Sequence, residues 1–199
     1  MKKSTVLLLL AIVLLIVPGF VFAGGAAEKP AAAPVAKGPI IIGSNSAPRT
    51  LNPLYFPSRQ DSIVTNLIFD NFVQPDKEGR IVGGLAESFS VAADGVTYTF
   101  NLAKNVVWHD GEKFDGDDVV ATLNMLAHPD YAGGVDRVNQ IVGVEEFKAD
   151  PTSKISGVSL SADKMTVTIK IKKPSATFLP GLYLQILPEH HIKNSNLTE

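Results

Sequence analysis

The sequence predicts an α+β fold of mixed sheets with short helices, and three observations predict it. Two segments alternate apolar and polar residues with the two-residue period of half-buried strands, each behind a turn and a weaker strand. Short stretches with helical spacing stand before, between and after them. Apolar residues make up 45% and charged residues 19% of the 199-residue chain, with 16 Gly and 13 Pro, a balance that folds and excludes an acidic disordered tail or a collagen-like fibre. Antiparallel hairpins packed with helices fit this pattern better than a doubly wound parallel sheet.

The chain opens with Lys2 and Lys3, an apolar run from Val6 to Val17, the breaking pair Pro18-Gly19, and Val21-Phe22-Ala23. That is the order of a secretory signal with a cut after Ala23, so residues 1–23 are expected to direct export. The apolar run rises only about 18 Å as a helix, short of a bilayer core of about 30 Å. The chain has no cysteine, which excludes a lipid tether of the lipoprotein type, disulfides and thiolate metal sites. Residues 24–38 offer only Gly, Ala, Pro, Val, Lys and Glu, nothing large enough to bury, and are expected to be a flexible tether. The folded region is expected over 39–199.

Ile40, Ile41 and Ile42, closed by Gly43, read as a short buried strand. Pro48, Pro53 and Pro57 then deny residues 44–60 a helix or a central strand, leaving a stiff polar loop suited to ligand contact. From Asp61 the spacing of Ile63, Val64, Leu67, Ile68 and Phe72 predicts a helix capped by Asp61 or Ser62. Leu85 to Leu102 predicts a hairpin, with Val96, Tyr98, Phe100 and Leu102 facing inward behind an Asp94-Gly95 turn. Asp115, three residues before Asp118, predicts the N-cap of a helix through Val119, Leu123 and Leu126 that Pro129 stops. A second hairpin runs from Ile155 to Ile171 with its turn at Ser161 to Lys164. The closing ILPEHHI reads as the entry to a helix.

Charge and motifs narrow the chemistry. The net charge is −2, and four of the basic residues, Lys2, Lys3, Lys29 and Lys37, fall in the first 38 positions, so no basic surface for nucleic acid or anionic lipid is expected. The carboxylates of Asp110, Glu112, Asp115, Asp117 and Asp118 do not form a calcium loop, because the twelfth position from Asp110 is Ala121. His190 and His191 are adjacent, whereas helical metal pairs sit at i,i+4, so no metal site is expected there. His109 beside Trp108 and Asp110 reads as a turn residue in the absence of a GxSxG elbow. GxGxxG, GxxxxGK[ST] and HExxH are all missing from the sequence, and neither a cofactor nor catalysis is expected.

Four ordered blocks carry more than any one motif: TLNPLYFP from Thr50, NLIFDNFVQPDKEGRIVGGLAESF from Asn66, DGVTYTFNLAKNVVWHDGEKFDGDDVV from Asp94, and ILPEHH from Ile186. Together they resemble the extracellular solute-binding proteins of the dipeptide, oligopeptide and nickel class, family 5. The resemblance implies the N-terminal part of a two-lobed, class II-like periplasmic-binding-protein fold, without its second lobe. It implies a monomeric periplasmic receptor that captures a peptide or similar small solute and delivers it to the permease subunits of an ABC importer. The family's ligand-facing loop maps here onto Phe56, Pro57, Ser58 and Arg59 after Leu51-Asn52-Pro53, with Asn45 at the end of the first strand. An exported hydrolase or metal-dependent enzyme using His109 and nearby carboxylates is the alternative from another class, and a ligand-free envelope protein is a third.

Overall fold

The computed structural model describes residues 38–39, 41–55, 58–133 and 137–193. The expected signal peptide lies outside them, as does nearly all of the expected tether. The chain divides into two compact units, Met1–Gly43 and Ser44–Glu199.

In the first unit the expected buried strand is not formed. Ile40 is outside the described residues, and Ile41 and Ile42 carry no strand and are 89% and 58% exposed. β-branched residues favour extended backbone, but a strand needs a ladder partner for its N–H and C=O groups, and none pairs with these residues among the described positions.

The second unit is built on a four-stranded antiparallel sheet. Helix α1 (Arg59–Ile68) precedes a two-stranded ribbon of β1 (Val73–Pro75) and β2 (Ile81–Gly83). The main sheet follows as β3 (Ala86–Val91), β4 (Thr97–Leu102), β5 (Val158–Leu160) and β6 (Thr166–Lys170), in the spatial order β3-β4-β6-β5. Both predicted hairpins form, and the structure joins them through β4 and β6, where Tyr98 faces Ile169 and Phe100 faces Val167. Between them come α2 (Gly116–Ala127) and α3 (Val144–Ala149), and after them two single turns, α4 (Phe178–Gly181) and α5 (Glu189–Ile192).

The alternation explains the core. Tyr98, Phe100 and Leu102 on β4, with Val167 and Ile169 on β6, are buried, while Asn101 and Lys170 point to solvent. Phe72 lies against Phe100 with ring centroids 4.9 Å apart, and Tyr98 meets Phe178 edge-on at the same separation. Each such pair adds about 0.5–1.5 kcal/mol beyond the area it buries. Helix α2 lays Val119, Leu123 and Leu126 into this core. Its capping box is the expected one: the Asp115 side chain accepts from the Asp117 N–H at 2.7 Å, and Asp118 accepts from the Asp115 N–H at 3.1 Å.

Helix α1 departs from expectation in two ways. It starts at Arg59, capped by Ser58 rather than by Asp61 or Ser62. Its buried side chains are Asp61 and Thr65, whereas Ile63, Leu67 and Ile68 are exposed. Phe72, expected to extend the helical stripe, sits beyond the extended cap residue Phe69 and packs in the core instead.

Candidate functional site

The loop before α1 is shaped by one carboxylate. Asp61 completes a capping box with Ser58, whose hydroxyl receives the Asp61 N–H at 3.3 Å while Asp61 Oδ2 accepts the Ser58 N–H at 2.8 Å. Its other oxygen reaches back across the loop to the N–H groups of Arg49 at 2.5 Å and Thr50 at 3.3 Å. Burial pushes the Asp61 carboxyl up, but these donors outweigh it and hold the pKa at about 2. The chain is then turned by side chains of its own: Thr50 Oγ1 accepts from the Asn52 N–H and Asn52 Oδ1 from the Leu54 N–H, the short-range bonding that suits these residues to turns.

The turns bring Leu54 and Tyr55 to the edge of a cleft of about 310 Å³. One wall is α1, through Ser62, Thr65 and Asn66, and another is the segment Tyr183–Gln185. The Asn66 side-chain carbonyl accepts from the Gln185 amide at 2.6 Å. The Tyr131 hydroxyl donates to the Leu54 carbonyl, and its ring lies 5.4 Å from that of Tyr55. Burial pushes both phenols above their ordinary value, so they stay neutral and able to donate. Arg137 donates to the Tyr183 carbonyl at 3.0 Å. Side-chain amides, hydroxyls, a guanidinium and aromatic faces in an open cleft suit non-covalent recognition of a polar ligand.

Of the residues expected to touch ligand, the described ones, Asn45, Ser58 and Arg59, do not line this cleft. Ser58 is engaged as the helix cap, and Arg59 is exposed on the first turn of α1. Asn45 is exposed and accepts from the Gln60 amide at 2.6 Å. Phe56 and Pro57 lie outside the described residues. Asn66, Tyr131, Arg137 and Gln185 went unforeseen, because they come from distant segments and none carries a local motif.

A second constellation forms where the Trp108–Gly111 turn meets α5. Asp110 Oδ2 lies 2.6 Å from His190 Nε2 and 3.4 Å from His191 Nε2. The hydrogen bond to His190 and a second from the Glu112 N–H hold the Asp110 carboxyl below the usual range. Adjacent histidines were expected to diverge, yet both imidazoles reach one oxygen, because long side chains bridge what the backbone separates. His109 is exposed on the same turn, and Asp110 turns toward the two later histidines. Beneath the turn, Asp118 accepts from Trp108 Nε1 at 3.1 Å and from the Glu189 N–H at 2.8 Å. Its burial dominates and raises its pKa.

Residues 80–198 match the family described as bacterial extracellular solute-binding proteins, family 5 Middle. The chain belongs to this family. Among curated relatives, the oligopeptide-binding protein AppA of Bacillus subtilis is 29% identical over 146 residues, covering 73% of this chain and 27% of AppA. The solved structure of AppA from Bacillus subtilis in complex with a nonapeptide superposes at a TM-score of 0.63 with 23% identity, over 78% of this chain and 28% of the other. NikZ of Campylobacter jejuni, solved with Ni(L-His), gives a TM-score of 0.56 and 26% identity over 75% of this chain and 27% of the other. The α+β arrangement is therefore part of the solute-binding-protein fold. The chain spans under a third of the length of each of these proteins. Family 5 proteins are solute-binding components, and these comparisons give the hydrolase alternative no support.

Proposed function

We propose that this chain supplies part of the gripping surface of an ABC importer's substrate-binding component, which captures a peptide or similar small solute and passes it to a membrane permease. The match of residues 80–198 to family 5 carries this reading. The cleft beside α1 is compatible with it, since an extended peptide needs main-chain partners and roomy, polar-edged pockets rather than a reactive group. Asn45, Phe56, Pro57, Ser58 and Arg59 are proposed as ligand contacts. Residues 1–23 direct export, residues 24–38 act as a tether, and the protein works as a monomer in the periplasm. Among the described residues no helix is long and apolar enough to cross a membrane.

Nuclear magnetic resonance tests the reading. Titrating the isotope-labelled chain with a mixture of short peptides is expected to shift the amides of residues 44–66 and 183–185. Shifts confined to the His109–Asp110 turn would contradict it.

A further inference from the structure

We propose that Asp110, His190 and His191 form a binding site for one divalent transition-metal ion of the zinc or nickel type. The three side chains each offer a ligand atom, and all three atoms lie within 4.8 Å of one another. A zinc ion with bonds of about 2.0–2.1 Å to nitrogen and oxygen sets tetrahedral ligand atoms about 3.4 Å apart. Of the distances from Asp110 Oδ2 to the two Nε2 atoms, the 3.4 Å to His191 matches that value and the 2.6 Å to His190 is shorter. Small rotations about the imidazole side chains open the shorter contact to it.

The carboxylate is oriented in advance. Gly111, with φ of +93°, lets the turn fold back so that the Glu112 N–H binds Asp110 Oδ1 at 3.1 Å. That leaves Oδ2 directed at the imidazoles, the kind of outer support that fixes metal ligands. Two nitrogen donors with one carboxylate favour zinc, nickel or copper over magnesium or calcium, which take oxygen ligands. An adjoining cleft of about 220 Å³, lined by Phe69, Trp108 and Pro188, leaves a side on which water can complete the coordination. To bind the ion each imidazole presents an unprotonated Nε2, so a neutral ring carries its proton on Nδ1 and a doubly protonated ring releases one proton to solvent. Bound there, the metal fastens the Trp108–Gly111 turn to α5.

The chain contains a single tryptophan and four histidines, which makes the test direct. The full, untagged chain is titrated with zinc chloride by calorimetry and with nickel chloride by Trp108 fluorescence. One saturable equivalent is expected, with quenching of Trp108 by nickel. Because His191 is exposed, the His191→Gln variant should keep the wild-type melting temperature without metal. It and Asp110→Asn should each bind at least about tenfold more weakly, while His128→Gln, remote from the cluster in sequence, binds as wild type. No saturable binding, affinity unchanged in either ligand variant, or equal loss in His128→Gln overturns the proposal.

Discussion

The side chains of Asn66 and Gln185, 119 residues apart in sequence, meet at 2.6 Å and join α1 to the segment that follows α4. Neither residue belongs to the hydrophobic core, so their bond shapes the cleft wall more than it supports the fold. Gln185→Ala should therefore cost no more than about 1 kcal/mol in urea denaturation. The peptide-induced amide shifts on α1 should shrink in the same variant. A loss of several kcal/mol would mean that this contact belongs to the structural framework.

Asp61 predicts a pH dependence with a definite sign. Its folded pKa, about 2, lies below the unfolded value of about 3.9. The stability it contributes is fully present above the unfolded value and is lost as pH falls toward 2. The stability difference between wild type and Asp61→Asn should be constant above about pH 5 and should narrow on acidification below pH 4. Asp118 works in the opposite direction: its raised pKa means that ionisation costs stability at neutral pH, a cost relieved as pH falls through its folded pKa. A difference that grows on acidification would contradict the role given to Asp61.

Gly116 sits where α2 begins against the turn between β5 and β6, and its N–H donates to the Lys164 carbonyl at 2.9 Å. A Cβ at this position would lie 2.7 Å from that carbonyl oxygen and 2.6 Å from Leu160 Cδ2. The leucine can turn aside, but the backbone oxygen cannot. Gly116→Ala should destabilise the protein by about 1–3 kcal/mol, although alanine is the better helix former by about 1 kcal/mol. Thermal and urea unfolding measure this, and a stabilised variant would show that the turn yields.

The parts of this fold that were legible in the sequence are those whose signal is local. Val96 to Leu102 and Met165 to Ile171 alternate cleanly because each strand has one face in the core, and Asp115 with Asp118 marks a helix start by spacing alone. The cap of α1 was legible in principle, since Ser58 and Asp61 have the same three-residue spacing. The exposed Ile63, Leu67 and Ile68 instead drew attention to an apolar stripe that is not buried. The β1–β2 ribbon was missed because its strands have three residues each and one ends in Pro75. The cleft and the Asp110–His190 contact were not legible at all. Their partners lie as much as 119 and 80 residues apart, and only the assembled sheet brings them together.

The central claim is that this chain contributes to a non-covalent grip shared with other parts of a longer receptor. Calorimetry with a nonapeptide tests it most directly, comparing the chain alone with a folded chimera in which the matched 146 residues replace their counterpart in AppA. The account predicts that the chimera binds the peptide and that the chain alone binds at least about a hundredfold more weakly, a gap of roughly 2.7 kcal/mol. Equally tight binding by the chain alone, or no binding by the folded chimera, would contradict it.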